Sequence, residues 1–551
     1  MQKIKPSLSP QRALVFQGGG SLGAYEVGVF HVLYHWIKKD LKENENVFDI
    51  IAGTSIGAIN ASIIISHFLE NKEKDVDITK EEKSRKTLKY WEGSPEKLLN
   101  FWKKSSSHST FYDIALSLLK NNWDYNKNMV AQMFPYYKKF IDSIVSGESL
   151  RRYYSTKKRI VNGEPYVFTP LFYPPFPTYI FNKFFDFSPL SAWWYQYSNK
   201  PLKEVVLDFA KKLEYNSNYN KGGIKTDIIQ NEPRFLLIAA NVKTAKPETF
   251  DSYDQNNITI NHVLASAAIP INYPYVEIDG NKYWDGGILS NTPLRELINS
   301  HITFWTKKLS SYLYSKNNLA FDNWDTYYKK QKENNIPNLS LTIVNLHPGE
   351  EEDDHMPSLY DYDMTKDREK DIRFHDKTDY DIKLAQDISD YHDFVEIMTQ
   401  LTSDAIKEIK DKDDKIVKDL KERFTRIINT EQRTRTRDDQ PRYFYDLIGK
   451  KFDIIDVFKI QRKDDEHTIS DKVFDFSSIT ISNLLREGEK DAFNEIIEKT
   501  RENEGKEKAI NKLKTFIDDI ENEKIIIESE ENLYILELTK EKLVELEKSN
   551  S

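Results

Sequence analysis

The stretch from Phe48 to Ser62 constrains what this chain can fold into more than any other. Phe48-Asp-Ile-Ile-Ala52 reads as a short apolar strand, Gly53-Thr-Ser-Ile-Gly57 as a sharp turn, and Ala58-Ile-Asn-Ala61 as the start of a helix. Strand, turn and helix with a serine at the apex is the pattern of a nucleophile elbow, whose backbone is strained and whose strand and helix lie too close for flanking side chains. Both flanking positions are glycine. Ser55 then stands at the positive end of a helix dipole worth about half a charge, where an oxyanion is stabilised. The five-residue motif alone is a weak signal, and the strand before it and small-residue helix after it supply the context it needs.

Upstream, Arg12-Ala-Leu-Val-Phe-Gln17 is a buried-strand pattern, followed by Gly18-Gly-Gly-Ser-Leu-Gly23 and a helix from Ala24 to Lys38. Strand, glycine loop, helix, strand, elbow, helix is the opening of a parallel α/β sheet. Gly18, Gly20 and Gly23 also fit G-x-G-x-x-G, so a dinucleotide site has to be weighed. That fold places an acidic residue at the end of the second strand to hold a ribose. Here Asp49 sits near the start of the strand and the serine turn takes its end, which disfavours the nucleotide reading.

A long insertion is expected over about 71–230, opening with a charged helix from Glu73 to Trp91. It contains an aromatic window from Tyr166 to Tyr197 with fourteen aromatic residues and several prolines. Such a window reads either as an arm packed on the core or as an acyl-binding wall that meets lipid. Regular signal returns at the apolar strand Arg234 to Asn241, then a small-residue helix from His262 stopped by Pro270. Tyr275 to Trp284 reads as a hairpin around Asp279-Gly280, and its second arm delivers Asp285-Gly286-Gly287. Further on, a helical excursion is expected over Trp305 to Pro337, a strand over Leu339 to Leu346 and an acidic turn over Glu350 to Asp354. Asp379 to Asn429 reads as helix with a charged break near Lys410 to Asp414, Tyr443 to Gln461 as strands, and Ile479 to Glu498 as helix. The last fifty residues read as a charged helical appendage.

The chain has 551 residues and no cysteine, which excludes thiolate catalysis, disulfides and Cys-based zinc sites. A net charge of -9 argues against nucleic acid as a partner, so any membrane contact is expected to be local and apolar. The longest apolar run, Ile56 to Leu69, is broken by polar residues and too short to span a bilayer. A cytoplasmic protein, with peripheral contact at a membrane left open, is the expectation.

Acyl transfer to water needs a nucleophile, a base and donors for an oxyanion. Ser55 supplies the first and the backbone of Gly18 to Gly20 the last. The candidate histidines His301, His347, His355, His375, His392 and His467 sit in settings unlike a strand-end loop of small residues. Asp285, between a strand and two glycines, is better placed, and a desolvated carboxylate can act as base. His262 is next in line.

Taken together, Gly18-Gly-Gly-Ser-Leu-Gly23, Gly53-Thr-Ser-Ile-Gly57, Asp285-Gly-Gly287, Ala265-Ser-Ala-Ala-Ile-Pro270 and Asn291-Thr-Pro-Leu294 resemble the patatin-like phospholipase family. Lys370-Asp-Ile-Arg373 and Asp475 to Asn483 with Gly488 look like the C-terminal half of a bacterial-type subgroup. The resemblance implies a three-layer α/β/α fold with a mostly parallel sheet, Ser55 as nucleophile, Asp285 as base, and an oxyanion hole at Gly18, Gly19, Gly20 and Gly23. It implies metal-free hydrolysis of lipid acyl esters with release of fatty acid. The alternative is a catalytically weak lipid-binding or interaction protein on the same scaffold. The expected domains are 12–298 (catalytic), 299–490 (an extension packed on it) and 491–551 (the appendage). One departure stands out: many family members carry arginine where this chain has Leu22, so any headgroup anchoring by a guanidinium is lost.

Overall fold

Buried apolar runs become inner strands of one sheet. The structure, a computed structural model, describes residues 9–75, 79–106, 110–133, 147–171, 197–216, 221–254, 257–310, 319–332, 336–349, 362–409, 414–432, 443–447, 452–463, 469–522 and 530–548. The strands used below are β1 (Gln11–Phe16), β2 (Ile50–Thr54), β3 (Arg234–Asn241), β4 (Lys246–Asp251), β5 (Val276–Ile278), β6 (Asn281–Asp285), β7 (Leu339–Asn345) and β8 (Ile454–Gln461). The helices named here are α1 (Gly23–Lys38), α2 (Ile56–Lys74), α3 (Ser94–Ser105), α4 (Ile260–Ser266), α5 (Leu294–Ser310), α6 (Trp324–Lys332), α7 (Tyr362–Phe374), α8 (Thr378–Glu408), α9 (Asp414–Ile428), α10 (Ser478–Glu504), α11 (Lys506–Asn522) and α12 (Glu530–Lys548); further helices cover Lys80–Arg85, Thr110–Met133, Gly147–Asn162 and Lys200–Phe209.

The eight strands form a mostly parallel sheet in the order β8-β7-β1-β2-β3-β6-β5, with β4 also paired to β3. The α/β class read from the sequence is therefore the one observed. Register on β3 positions everything that follows. β2 runs parallel to it, with Thr54 opposite Ile238. β4 runs antiparallel along Leu236 to Asn241. β6 also runs antiparallel, with Asp285 opposite Ala239. A strand has two hydrogen-bonding edges, and β4 fills one of them, so β2 and β6 share the other. They arrive from opposite directions and end at consecutive residues of β3. The Asp279-Gly280 turn that feeds β6 has positive φ at both residues, 48° and 76°, as a two-residue hairpin requires.

The chain divides into two units. The larger comprises Leu14–Pro293, Thr342–Asp376 and Phe458–Ser551. Its core is continuous from Leu14 and Phe16 through α1, α2 and α3 to α10, α11 and α12. Helix α1 is buried from Gly23 to Tyr34 and is apolar nearly all round, so it needs cover on several faces. α10 supplies part of that cover at a crossing made close by two glycines. A Cβ on Gly28 would meet Leu485 O at 2.0 Å, and one on Gly488 would meet Tyr25 O at 2.1 Å. Beside the crossing, buried His31 Nδ1 lies 2.8 Å from Glu489 Oε1.

The smaller unit comprises Met1–Ala13, Leu294–Leu341 and Lys377–Val457. It has a core of its own, in which Phe321, Trp324, Tyr327, Ile406, Phe424 and Ile428 meet between α6, α8 and α9.

Three local readings differ from the structure. β2 extends two residues further than expected and takes in Gly53 and Thr54, because parallel pairing with β3 continues to Ile238. The helix expected from Trp305 begins at Leu294, where Pro293 ends the preceding loop. Among the described residues of 443–461 there is one strand, β8, from Ile454; Phe444–Leu447 is a 3-10 turn that sets Tyr445 edge-on against Tyr327, and ring packing prevails over β propensity there. The acidic turn at 350–354 and most of the aromatic window, residues 172–196, lie outside the described residues. At the ends of that window, Phe168 and Tyr197 are buried against each other with ring centroids 4.9 Å apart.

Candidate active site

Ser55 sits at the junction of β2 and α2 with φ 55° and ψ -121°, a region that non-glycine residues rarely enter. Such strain, on the order of 1–3 kcal/mol, persists where the surroundings over-determine it. A Cβ on Gly53 would lie 2.4 Å from the carbonyl of Gly57, so strand and helix can approach this closely with glycine there. Ser55 N donates to Ser266 Oγ at 2.9 Å, and Ser266 Oγ donates to Ile238 O at 2.6 Å, which ties the apex to β3 through α4.

The shared edge of β3 delivers the carboxylate. Ser55 Oγ donates to Asp285 Oδ2 at 2.6 Å, and Gly287 N donates to Oδ1 at 2.7 Å. Both side chains are nearly closed to solvent, with residue exposures of 8% and 4%. Burial pushes the Asp285 carboxyl up to about 6, although the bonds from Ser55 and Gly287 pull it back in part. A carboxylate so poised is ionised at neutral pH and still basic enough to take a proton.

The glycine loop faces the same point. A Cβ on Gly18 would lie 3.1 Å from Ser55 Cβ. Gly18 N donates to Asn291 O at 3.2 Å, and Gly23 N bonds Gly20 O and Ser21 O in the 3-10 turn that opens α1. The amides of Gly19 and Gly20 have no partner among the described residues, and Gly20, at φ 58°, lines the same cavity as Ser55. Side chains from afar hold the loop in place. Gln17 Oε1 accepts from Leu346 N and His347 N at 2.6 and 3.0 Å, while its Nε2 donates to Thr292 Oγ1 and Phe374 O. Asn291 Nδ2 donates to Gly18 O and to Phe374 O at 3.1 and 2.9 Å. Ser21 Oγ donates to Lys472 O, and Lys472 is itself fixed by buried Asp367 and Asp371.

Beside Ser55 opens a cavity of about 60 Å³ with almost wholly apolar walls, among them Ile59, Trp102, Phe168, Tyr273, Phe474 and Phe476. That is room for several waters, enough for the first carbons of a chain.

The described candidate histidines make other contacts. His262 caps α4 through Thr259 and packs its ring on Phe250, and burial lowers its pKa to about 4. His301 bonds Pro337 O, His347 bonds Asp371, and His375 bonds Ile372 O. His355 and His467 lie outside the described residues, and His392 is half-buried on α8.

Comparison with known families matches residues 14–298, just over half of the chain, to the family described as patatin-like phospholipase. The chain belongs to the patatin-like phospholipase family. The family is one of lipid acyl hydrolases acting on lipid substrates. No curated protein matches the chain. Among solved structures the chain is similar to VipD from Legionella pneumophila, at 13% identity over 98% of this chain and 96% of that one, with a TM-score of 0.21. The patatin-like match takes in the glycine loop, Ser55 and Asp285 but stops short of Leu346, His347, Phe374 and Lys472, which brace the loop in this chain. Leu22, at the position of the arginine in many patatin-like sequences, is buried behind the loop with its Cβ 3.3 Å from where one on Gly19 would stand.

Sequence reading picked out the apex, the acid and the loop. It gave no role to Gln17, Ser266 or Asn291. Gln17 carried a signal all the same: an amide directly after four buried apolar residues has to find a partner inside the fold.

Proposed function

We propose that this chain hydrolyses acyl esters of lipids with Ser55 as nucleophile and Asp285 as its base, the glycine loop from Gly18 to Gly23 forming the oxyanion hole. The observation that carries the reading is the 2.6 Å bond from Ser55 Oγ to a buried carboxylate. Oγ attacks the ester carbonyl carbon while its proton passes to Asp285 Oδ2. The negative charge that develops on the carbonyl oxygen meets the amides of Gly19 and Gly20 and the N-terminus of α2, while Gly18 and Gly23 shape the loop. Breaking the carbon–oxygen bond to the alcohol returns the proton to the leaving oxygen and leaves an acyl group on Ser55. Water then attacks that carbonyl, gives a proton to Asp285, and releases fatty acid as Ser55 Oγ regains a hydrogen.

The apolar walls beside Ser55 suit an acyl chain, and the buried Leu22 offers no cation to a phosphate. Selectivity therefore rests on the acyl part rather than the headgroup. Among the described residues no helix is long and apolar enough to cross a membrane.

A fluorophosphonate probe tests the nucleophile. Labelling of the full chain is expected, together with release of fatty acid from phosphatidylcholine vesicles and turnover of short soluble esters. All three are expected to vanish in Ser55→Ala. Labelling that survives in that variant overturns the assignment.

A further inference from the structure

In the smaller unit, α8 presents two faces of different kinds. One is used: Ile382, Ser389, Ser403 and Ile406 are buried, Ile406 within the unit's core, and Tyr328 and Trp324 bond Glu396 and Gln400. The other is apolar and in the open. Tyr380, Leu384, Ile388, Tyr391, Phe394, Met398 and Leu401 follow one another at intervals of four, four, three, three, four and three, with exposures from 43% to 70%. Such spacing repeats about every 3.5 residues and runs for three heptads, roughly 32 Å of helix. Exposed side chains of this size are unremarkable when scattered, but a continuous seam marks a contact surface.

The charges on α8 choose among occupants. The helix carries eight acidic side chains against two lysines. Asp381 meets Arg295, and Asp404 meets Lys407. Lipid-surface helices carry Lys and Arg beside the apolar stripe and are drawn to anionic headgroups, whereas this one is repelled. A second copy of the chain would bring the same excess of acid to the seam, and like charges across a seam oppose pairing. A 3.5-residue repeat is read in register by another helix, and the flanking acid asks for Lys and Arg on it.

We propose that the apolar face of α8 is a docking site for a basic amphipathic helix of another protein, seated by knobs-into-holes packing along Tyr380 to Leu401. The contact is separate from the chemistry at Ser55 and does not depend on it.

The test uses the full chain and two synthetic three-heptad helices with leucine at the seam, one with lysine and one with glutamate at the flanking positions, read by fluorescence anisotropy. The lysine peptide is expected to bind, more weakly as salt is raised, and the glutamate peptide to bind at least about tenfold less tightly. The double variant Tyr391→Ser with Phe394→Ser is expected to lose at least about tenfold in affinity for the lysine peptide, with circular dichroism and ester turnover unchanged. Equal binding of both peptides, or of neither, overturns the proposal. So does a dimer in sedimentation, or binding to phosphatidylserine vesicles, that the double variant abolishes; these outcomes assign the face to a second copy or to lipid.

Discussion

Asp285 links stability and proposed catalysis through one proton. Its folded pKa of about 6 lies above the ordinary aspartate value because burial disfavours the charge. The unfolded chain therefore ionises first as pH rises. The native state holds its full advantage below about pH 4 and loses it as pH passes through about 6, at a cost on the order of 2–3 kcal/mol. The proposed base works only when ionised, so turnover is expected to rise through about pH 6 over the range where stability falls. Asp285→Asn is expected to cut ester turnover by about a thousandfold while raising resistance to urea at pH 8 and leaving it little changed near pH 4. Denaturation curves at the two pH values, with turnover on soluble esters, check both halves. Gly20 offers a second test. Alanine there would face a positive φ and place Cβ 2.5 Å from Val473 O, which turns the amide away from the proposed oxyanion. Gly20→Ala is expected to lower kcat by about 100-fold with KM little changed, and to slow fluorophosphonate labelling in parallel.

Among the elements, the crossing of α1 and α10 bears on the site without touching substrate. α1 begins at Gly23, the last glycine of the loop, so any shift of α1 moves the amides that precede it. The contact distance is set by the small residues Gly28 and Gly488, and polar bonds from Tyr25 to Asp491 and His31 to Glu489 fix its register. Gly488→Val has no room at the backbone of Tyr25 and is expected to destabilise the larger unit by about 1–3 kcal/mol, seen as a lower midpoint in urea. Residual turnover at low temperature is expected to fall as well, because the loop is displaced with its helix. A variant with native midpoint and native turnover would show that the crossing tolerates bulk.

At the scale of the molecule, the larger unit is built from three separate lengths of chain, and the site depends on all of them. The patatin-like match ends at residue 298, yet Gln17 is satisfied by backbone at Leu346, His347 and Phe374, and α1 is covered by α10. A chain ended at residue 298 keeps Ser55 and Asp285 but strips Gln17 of its bonds to Leu346, His347 and Phe374, leaving it only Thr292 among these, and opens the apolar face of α1 to water. Each lost bond to a buried polar group costs about 1–3 kcal/mol, and each uncovered large apolar side chain a similar amount. That shortened chain is expected to be aggregated or to lack a near-ultraviolet circular dichroism signal, and to leave the fluorophosphonate probe unreacted.

The sequence by itself determined the local pieces. Gly53 and Gly57 around Ser55 dictated the elbow because no side chain fits there, Asp279-Gly280 dictated the hairpin because both residues take positive φ, and apolar runs dictated the strands. Tertiary structure decided what those pieces face. The distance between Ser55 and Asp285 follows from two strands ending at neighbouring residues of β3, a register that depends on pairing across 230 positions of sequence and leaves no local pattern. The bracing by Gln17 and Asn291 and the exposure of one apolar face of α8 were settled likewise, by which partners the folded chain supplied to each group.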